Sequence, residues 1–234
     1  MLRIPRREAV RTLTLLAALV AGSSAPHGQD TDQGLWSAFA GQGRLNIAPQ
    51  GRMRWWFDAH ARFFEDSNGF ETSIVRPGIG YDINEHTTAW LGYAWIENDP
   101  IAGSFTEQRI WQQLTWGKRY DWGTPFARTR LEQRYDERGS DTGWRLRQFV
   151  RWTKPVSDDS RLGWRVWDEG FFDLNDTSWG QDTGFRQNRA FAGMGWKVDD
   201  SLTLEVGYLN QYIPRDAADS SSNHVLAVTL LGNF

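Results

Sequence analysis

The chain contains no cysteine among its 234 residues. A disulfide framework and a thiolate metal site are therefore excluded. Lysine is almost absent too, since Lys118, Lys154 and Lys197 are the only lysines among 26 basic residues and the others are arginines. Arginine presents a rigid, permanently charged fork that suits paired or networked carboxylates. The basic residues of this chain therefore favour geometry-dependent pairing over diffuse positive charge.

Long apolar runs are also missing, because no stretch of 18 or more apolar residues follows the N-terminus. This excludes a helical membrane protein. Aromatic residues are abundant, however, with 14 Trp, 13 Phe and 6 Tyr at a mean hydropathy of −0.58. A strand that crosses a bilayer needs apolar residues on its lipid face only, and Trp and Tyr gather at the two interfaces. The composition therefore favours a transmembrane β-barrel.

The N-terminus has the layout of a secretory signal. Residues 1–11 carry four arginines, residues 12–21 are apolar but too few to span a bilayer, and residues 22–25 are small. This pattern predicts a cleaved signal peptide over 1–25, with a short membrane anchor as the alternative. We expect a leader over 26–34 and a barrel over 35–234. Cleavage leaves 22 basic and 28 acidic residues, a negative balance that argues against nucleic acid as a partner.

The mature chain alternates with period two between turn signals, which predicts strands rather than helices. In 51–64, for example, Trp55, Phe57 and Phe63 share one face, while Arg54 and Asp58 share the other. The pattern predicts an all-β, antiparallel up-and-down transmembrane barrel of about 10–12 strands. Eleven segments are found: 35–45, 51–64, 70–83, 87–97, 106–118, 126–137, 144–153, 161–172, 185–198, 201–213 and 223–234.

Tight and longer connections alternate along the chain, as expected when short periplasmic turns alternate with outer loops. Because bacterial single-chain barrels have even strand numbers, we expect either that 35–45 is not a full strand, giving ten, or that one strand is missed, giving twelve. The three lysines border tight turns near Trp116, Trp122, Trp152 and Trp196. These positions predict an interfacial aromatic girdle with snorkelling cations.

Several phrases, taken in order, resemble an uncharacterised outer-membrane family, domain of unknown function 2490. The resemblance covers nearly the whole mature chain, implies an outer-membrane barrel and supplies no established activity. It rests on Gly34-Leu35-Trp36, the Arg-Pro-Gly-Ile-Gly-Tyr run at 76–81, Gly92-Tyr93, Glu107-Gln108-Arg109, Trp111-Gln112-Gln113, Arg128, Arg130, Leu131-Glu132-Gln133-Arg134, Arg145, Arg147, Asp168-Glu169, Gln187-Asn188-Arg189, Gly207-Tyr208 and Asn223-His224.

If the apolar faces meet lipid, the opposite faces place arginines and carboxylates in the lumen. The predicted lumenal arginines are Arg52, Arg54, Arg62, Arg76, Arg109, Arg128, Arg130, Arg134, Arg145, Arg147, Arg151, Arg165 and Arg189. The predicted lumenal acids are Glu107, Glu132, Asp136, Glu169 and Glu205.

This lining has two interpretations. The first is a structural network that fills a narrow barrel, since a small barrel has an interior just wide enough for side chains. The second is an anion-selective pore or a binding cavity for acidic small molecules, since thirteen arginines face five acids and excess arginine favours carboxylates or phosphates. A soluble β-barrel or sandwich that carries a ligand is the structural alternative.

Catalytic motifs are weak, and we expect that the protein is not an enzyme and holds no cofactor or metal. A lipid hydrolase would need a serine and a histidine in an oriented pair. His60 lies among charged residues, and His224 follows a serine run ending at Ser222, but no paired motif fixes a nucleophile. Asp173 and Asp176 lack calcium-loop spacing, so we expect them in solvated loops.

The predicted location is the outer membrane of a Gram-negative bacterium. The expected partners are outer-membrane lipid, a small anionic solute and the barrel-assembly machinery. The last would bind the C-terminal strand, which ends in Phe234.

Overall fold

The computed structural model describes residues 31–45, 51–65, 69–99, 103–214 and 220–234. The predicted signal peptide, and the leader up to residue 30, lie outside the described residues. Eleven strands occur in the described part: β1 (Gln33–Arg44), β2 (Met53–Phe64), β3 (Gly69–Asp82), β4 (Thr87–Asn98), β5 (Phe105–Gly117), β6 (Thr124–Asp136), β7 (Thr142–Pro155), β8 (Leu162–Asp173), β9 (Gly184–Lys197), β10 (Leu202–Ile213) and β11 (Ser221–Asn233).

No helix in the described part of the chain is long and apolar enough to cross a membrane.

The strands form one closed barrel in which each pairs antiparallel with its neighbours in sequence. The seam is different, because β1 pairs with β11 in parallel, from Gln33 opposite His224 to Gln42 opposite Asn233. The predicted all-β barrel of about 10–12 strands is confirmed, with antiparallel pairing at every described ladder except the seam. The expected even strand number was wrong. An odd number makes the first and last strands run the same way, and a parallel ladder still satisfies both edges.

The predicted segments match the observed strands to within two residues at every end. Segment 35–45 is a full strand, so the count of eleven was right. The difference is largest at β7, where both ends extend two residues beyond the predicted segment, and both β6 and β7 include a proline near one end, Pro125 and Pro155. Proline is accepted at such terminal positions because little of the ladder needs its missing N–H.

The two ends of the barrel differ in their connections. At the turn end, short connections join β3 to β4, β5 to β6, β7 to β8 and β9 to β10. The loop end carries the connections from β2 to β3, β4 to β5, β6 to β7, β8 to β9 and β10 to β11. Because β1 is parallel to β11, the barrel begins at the loop end and finishes at the turn end.

The outer wall of the barrel is an apolar band flanked by two girdles of aromatic side chains. Exposed rings at the turn end include Trp116, Trp122, Trp164 and Trp196, and those at the loop end include Phe63, Tyr135, Trp144, Phe172 and Phe185. Exposed aliphatic side chains between them include Ile79, Leu91, Leu114, Val150 and Val166. The predicted aromatic girdle therefore has a counterpart at each end.

Polar residues on this wall bond to each other. Gln112 and Gln133 exchange side-chain hydrogen bonds of 3.1 and 2.9 Å, and Thr129 donates to Gln148. Asn188 Nδ2 donates to both carboxylate oxygens of Asp168 at 2.9 and 3.0 Å. Pairing of this kind lowers the cost of keeping polar groups on an apolar surface.

Two apolar clusters lie inside the barrel and support the charged groups described below. The cluster on β3 to β5 consists of Ile74, Trp90, Ala94, Ile96 and Trp111. The cluster across the seam consists of Trp36, Phe64, Phe191, Leu209, Val225 and Ala227.

Candidate functional site: the arginine-lined lumen

Trp111, Arg130 and Glu132 lie at the middle of β5 and β6, and all three have 0 % exposed surface. The Arg130 guanidinium carbon lies 4.5 Å from the centre of the Trp111 ring. Its Nε donates to Gln113 Oε1 at 2.7 Å, and its Nη1 lies 3.7 Å from Glu132 Oε1. Alternation along β5 and β6 directs these side chains inward. The three side chains therefore form a buried layer inside the barrel, which we call the central layer.

Two glycines make room for the central tryptophan. Gly78 and Gly92 lie opposite each other on β3 and β4, and the Trp111 ring rests on both. A Cβ atom at Gly92 would lie 2.2 Å from Trp111 Cζ2, and one at Gly78 would lie 2.6 Å from Cη2. The close approach of this ring to the wall therefore requires glycine.

Glu132 is the central acceptor of the ion-pair network. It receives Arg109 Nη1 at 3.1 Å and Arg147 Nη1 at 2.8 Å. Arg147 Nη2 also lies 2.8 Å from Glu169. The network continues from Arg128 to Glu169 at 2.6 Å, and from Arg109 and Arg134 to Glu107 at 2.7 and 2.5 Å. Charge-assisted bonds of this kind are short and directional.

Further pairs extend the network toward both ends. Asp58 accepts hydrogen bonds from Arg76 Nε at 2.7 Å and from Trp56 Nε1 at 2.5 Å. One of its carboxylate oxygens also lies 2.8 Å from His60 Nε2. Other lumenal pairs include Arg145 with Asp173 at 2.6 Å, Arg138 with Asp136 at 2.7 Å, Arg54 with Asp82 at 3.4 Å and Arg165 with Glu205 at 3.8 Å.

The sequence-based count of lumenal acids was too low. Asp58, Asp82 and Asp173 also pair with lumenal arginines. Asp173 was predicted in a solvated loop, but it ends β8 and is 2 % exposed beside Arg145. Its place two residues beyond Phe171, on the face of Glu169, was the signal that could have found it. The apparent excess of arginine is correspondingly smaller.

Arg52 was predicted in the lumen, and the structure corrects this. It precedes the first residue of β2, so strand alternation does not fix its direction. Its exposed side chain donates to the Tyr81 hydroxyl at 3.4 Å, and Tyr81 belongs to the exposed outer surface.

A cavity of about 210 Å³ remains at the loop end of the lumen. Glu107 is the one carboxylate among its described lining residues. Its lining arginines are Arg62, Arg76, Arg109, Arg134, Arg138, Arg145, Arg147 and Arg189. Six of them pair with a carboxylate, as described above. Arg62 and Arg189 differ, because no described carboxylate lies within 4.0 Å of either guanidinium.

The connection from β8 to β9 folds over the loop end beside this cavity. Gln181 inserts into the barrel, where its Oε1 accepts from Arg134 Nη1 at 2.8 Å. The Trp179 indole lies against Gly143 and donates to the Asp141 carbonyl at 2.8 Å. Hydrogen bonds from the Ser178 hydroxyl and from the Ser178 amide, the latter 2.7 Å long, lower the pKa of the Asp141 carboxyl. This connection is therefore anchored by specific contacts.

The histidines have partners other than serine in the described part of the chain. His60 contacts Asp58 and Arg76 Nη2 in the lumen network. His224 Nδ1 forms a 2.5 Å hydrogen bond with the Tyr208 hydroxyl, whereas Ser222 accepts from Asn210. Across the described residues, no group of three or more His, Cys, Asp or Glu side chains could hold a metal ion.

A family model described as protein of unknown function, DUF2490, matches residues 33–222. The chain belongs to the DUF2490 family. The resemblance drawn from its sequence motifs is thereby confirmed. An uncharacterized protein of Methylorubrum extorquens is 34 % identical to this DUF2490 chain over 167 residues, which cover 69 % of the chain and 72 % of the relative. Neither name states an activity.

Among solved structures, the siderophore receptor PirA from Pseudomonas aeruginosa aligns with 81 % of the DUF2490 chain at a TM-score of 0.29 and 8 % identity. The chain spans 38 % of that receptor's length. At this score the likeness carries no inference about ligands.

Proposed function

We propose that this DUF2490 protein is an outer-membrane β-barrel whose lumen is closed by its own side chains, and that it acts as a non-conducting scaffold. The observation that carries the proposal is the central layer of Trp111, Arg130 and Glu132, which has no exposed surface. A conducting pore would need a continuous aqueous path through this level.

The outer wall supports the proposed location. A spanning barrel needs an apolar outer band flanked by aromatic girdles and a polar interior, and the described wall and lumen have this arrangement. Closure through the β1–β11 seam removes both free edges, as a bilayer demands. Phe234 at the end of the chain stacks on Trp55 with ring centres 5.8 Å apart. We propose that export uses the signal at 1–25 and that assembly machinery binds the last strand.

The ion-pair network supports the closed state over an anion pore. Glu132 and Glu169 each bind two arginines within the lumen, so the guanidiniums of Arg109, Arg128 and Arg147 already hold carboxylates. Permeating anions would have to displace carboxylates that are covalently held and already bonded at 2.6–3.1 Å. The network therefore opposes anion passage.

Fractionation and planar-bilayer recording test this function. We expect the mature protein in the outer-membrane fraction, faster migration of unheated samples on denaturing gels, and silent bilayers. Trp111→Ala, which removes the largest side chain of the central layer, is the positive control and should conduct. Stepwise anion currents from the unmodified protein would overturn the closed scaffold, and recovery in the soluble periplasm would favour a soluble carrier.

Hydrolysis of lipid esters, lost in Ser222→Ala or His60→Ala, would instead indicate an enzyme.

A further inference from the structure

We propose that the loop-end cavity binds a small multivalent oxyanion, of the organic phosphate or polycarboxylate class, through the guanidinium groups of Arg62 and Arg189. This goes beyond the closed scaffold. It depends on the barrel fold and is independent of whether the lumen conducts.

The first observation is that both guanidiniums are held by the same indole. The Arg62 and Arg189 guanidinium carbons lie 4.2 and 4.7 Å from the centre of the Trp36 ring. Arg189 also lies 4.5 Å from the Phe171 ring. Aromatic contact fixes the flat faces of a guanidinium and leaves its N–H edges available. Two donor edges are therefore pre-positioned around one side chain.

The second observation is that these edges have few partners. The Nε atoms of Arg62 and Arg189 are buried, and neither has a hydrogen-bond acceptor in the described part of the chain. Arg189 is 7 % exposed, and its described side-chain acceptor, Gln187, is 3.5 Å away. Arg189 is buried, Arg62 is half-buried, and Glu71 is a neighbouring carboxylate that interacts electrostatically with both. Because no described carboxylate lies within 4.0 Å of either guanidinium, an anion that bridges them would offset the cost of burying their charge.

The cavity itself limits the ligand. Its volume of about 210 Å³ lies below the roughly 300–1,000 Å³ of sites for drug-sized ligands. Positive charge surrounds it, while Glu107 is already bonded to Arg109 and Arg134. A small multivalent anion fits this cavity better than a monovalent ion does, because it can bridge the two arginines. Each guanidinium fork can bind two oxygens of a carboxylate or phosphate.

The ligand reaches the site from the loop end. Arg138 lines the cavity and its side chain is 47 % exposed, beside Phe105. Because the site lies inside the lumen, away from the outer wall, we take a free solute rather than a lipid headgroup as the source.

Calorimetry on the refolded full-length mature protein in detergent tests the proposal, with citrate and pyrophosphate as probes. We expect saturable binding that chloride at equal ionic strength does not reproduce. Arg62→Gln and Arg189→Gln should each weaken it by roughly tenfold or more. Arg54→Gln, at the turn end of the same lumen, is the matched control and should change it less than about twofold.

Folding of each variant is checked by the gel shift of unheated samples. If Arg189→Gln does not fold, Arg189→Lys keeps the charge without the fork and should still bind more weakly. A second experiment adds vesicles that contain an anionic phospholipid. If these vesicles compete with citrate for binding, the ligand is a lipid headgroup and the proposal of a free solute is overturned. No binding of either probe, or binding unchanged in both variants, would overturn the site while silent bilayers still supported the closed scaffold.

Discussion

Arginine side chains pack against a tryptophan at two levels of the same lumen, but their neighbours differ. At the centre, Arg130 lies on Trp111 and next to Glu132, which also binds Arg109 and Arg147. At the loop end, Arg62 and Arg189 lie on Trp36 with no described carboxylate within 4.0 Å. The difference lies in the counter-charge. Where carboxylates contact the guanidiniums, the arginines belong to the buried central layer, and where no described carboxylate lies within 4.0 Å, the arginines form a candidate anion site.

Removing the central carboxylate should have the largest effect. Glu132→Gln removes the carboxylate that accepts from Arg109 and Arg147 and that lies 3.7 Å from Arg130 Nη1. Breaking a buried ion pair from one side costs about 3–5 kcal/mol of unfolding free energy. Urea unfolding of the refolded protein, followed by tryptophan fluorescence, measures it. Glu85→Gln, whose side chain is 83 % exposed, is the control, and equal midpoints for the two variants would contradict the central role of Glu132.

Adding a methyl group at a glycine that contacts the Trp111 ring should have an intermediate effect on the free energy of unfolding. In Gly92→Ala the new methyl would lie 2.2 Å from Trp111 Cζ2, so the ring has to move. Overpacking of this kind costs about 1–3 kcal/mol. The same unfolding assay should show the loss, and bilayers should show whether the displaced ring opens the centre. Gly170→Ala, whose methyl would meet the edge of the Phe172 ring at 3.1 Å, should lose less stability.

Acid should loosen the loop end with the smallest effect of the three. Hydrogen bonds from the hydroxyl and amide of Ser178 lower the pKa of Asp141 below the usual aspartate value, and those from the hydroxyl and amide of Thr183 do the same for Asp176. A lowered folded pKa means that these contacts stabilise the connection above about pH 3.9 and are lost as pH falls through the lowered value.

Hydrogen exchange of segment 174–183, corrected for the intrinsic rate at each pH, measures this release. The central layer should stay protected over the same pH range. Asp141→Asn keeps an acceptor that does not titrate, so it should reduce the acid response. An identical response in this variant would show that Asp141 does not anchor the connection.

Strand positions and faces were predictable because alternation is a local property. The inward face of Arg128, Arg130 and Glu132 follows from period two along one segment. The partners were not predictable, since Arg128 pairs with Glu169 and Arg134 with Gln181, residues 41 and 47 positions away. Arg52 was misplaced because it lies one residue outside the alternating run. The even strand number came from a general expectation about barrels, and no residue pattern in this chain encodes it.

The parallel seam has a consequence for how the barrel forms. Gln33 and His224 come from opposite ends of the chain, so this ladder closes the longest loop in the fold and has the highest entropic cost of closure. Parallel pairing is also slightly weaker per residue than antiparallel pairing. The ten antiparallel ladders can assemble from neighbours in sequence, so we expect the seam to close last.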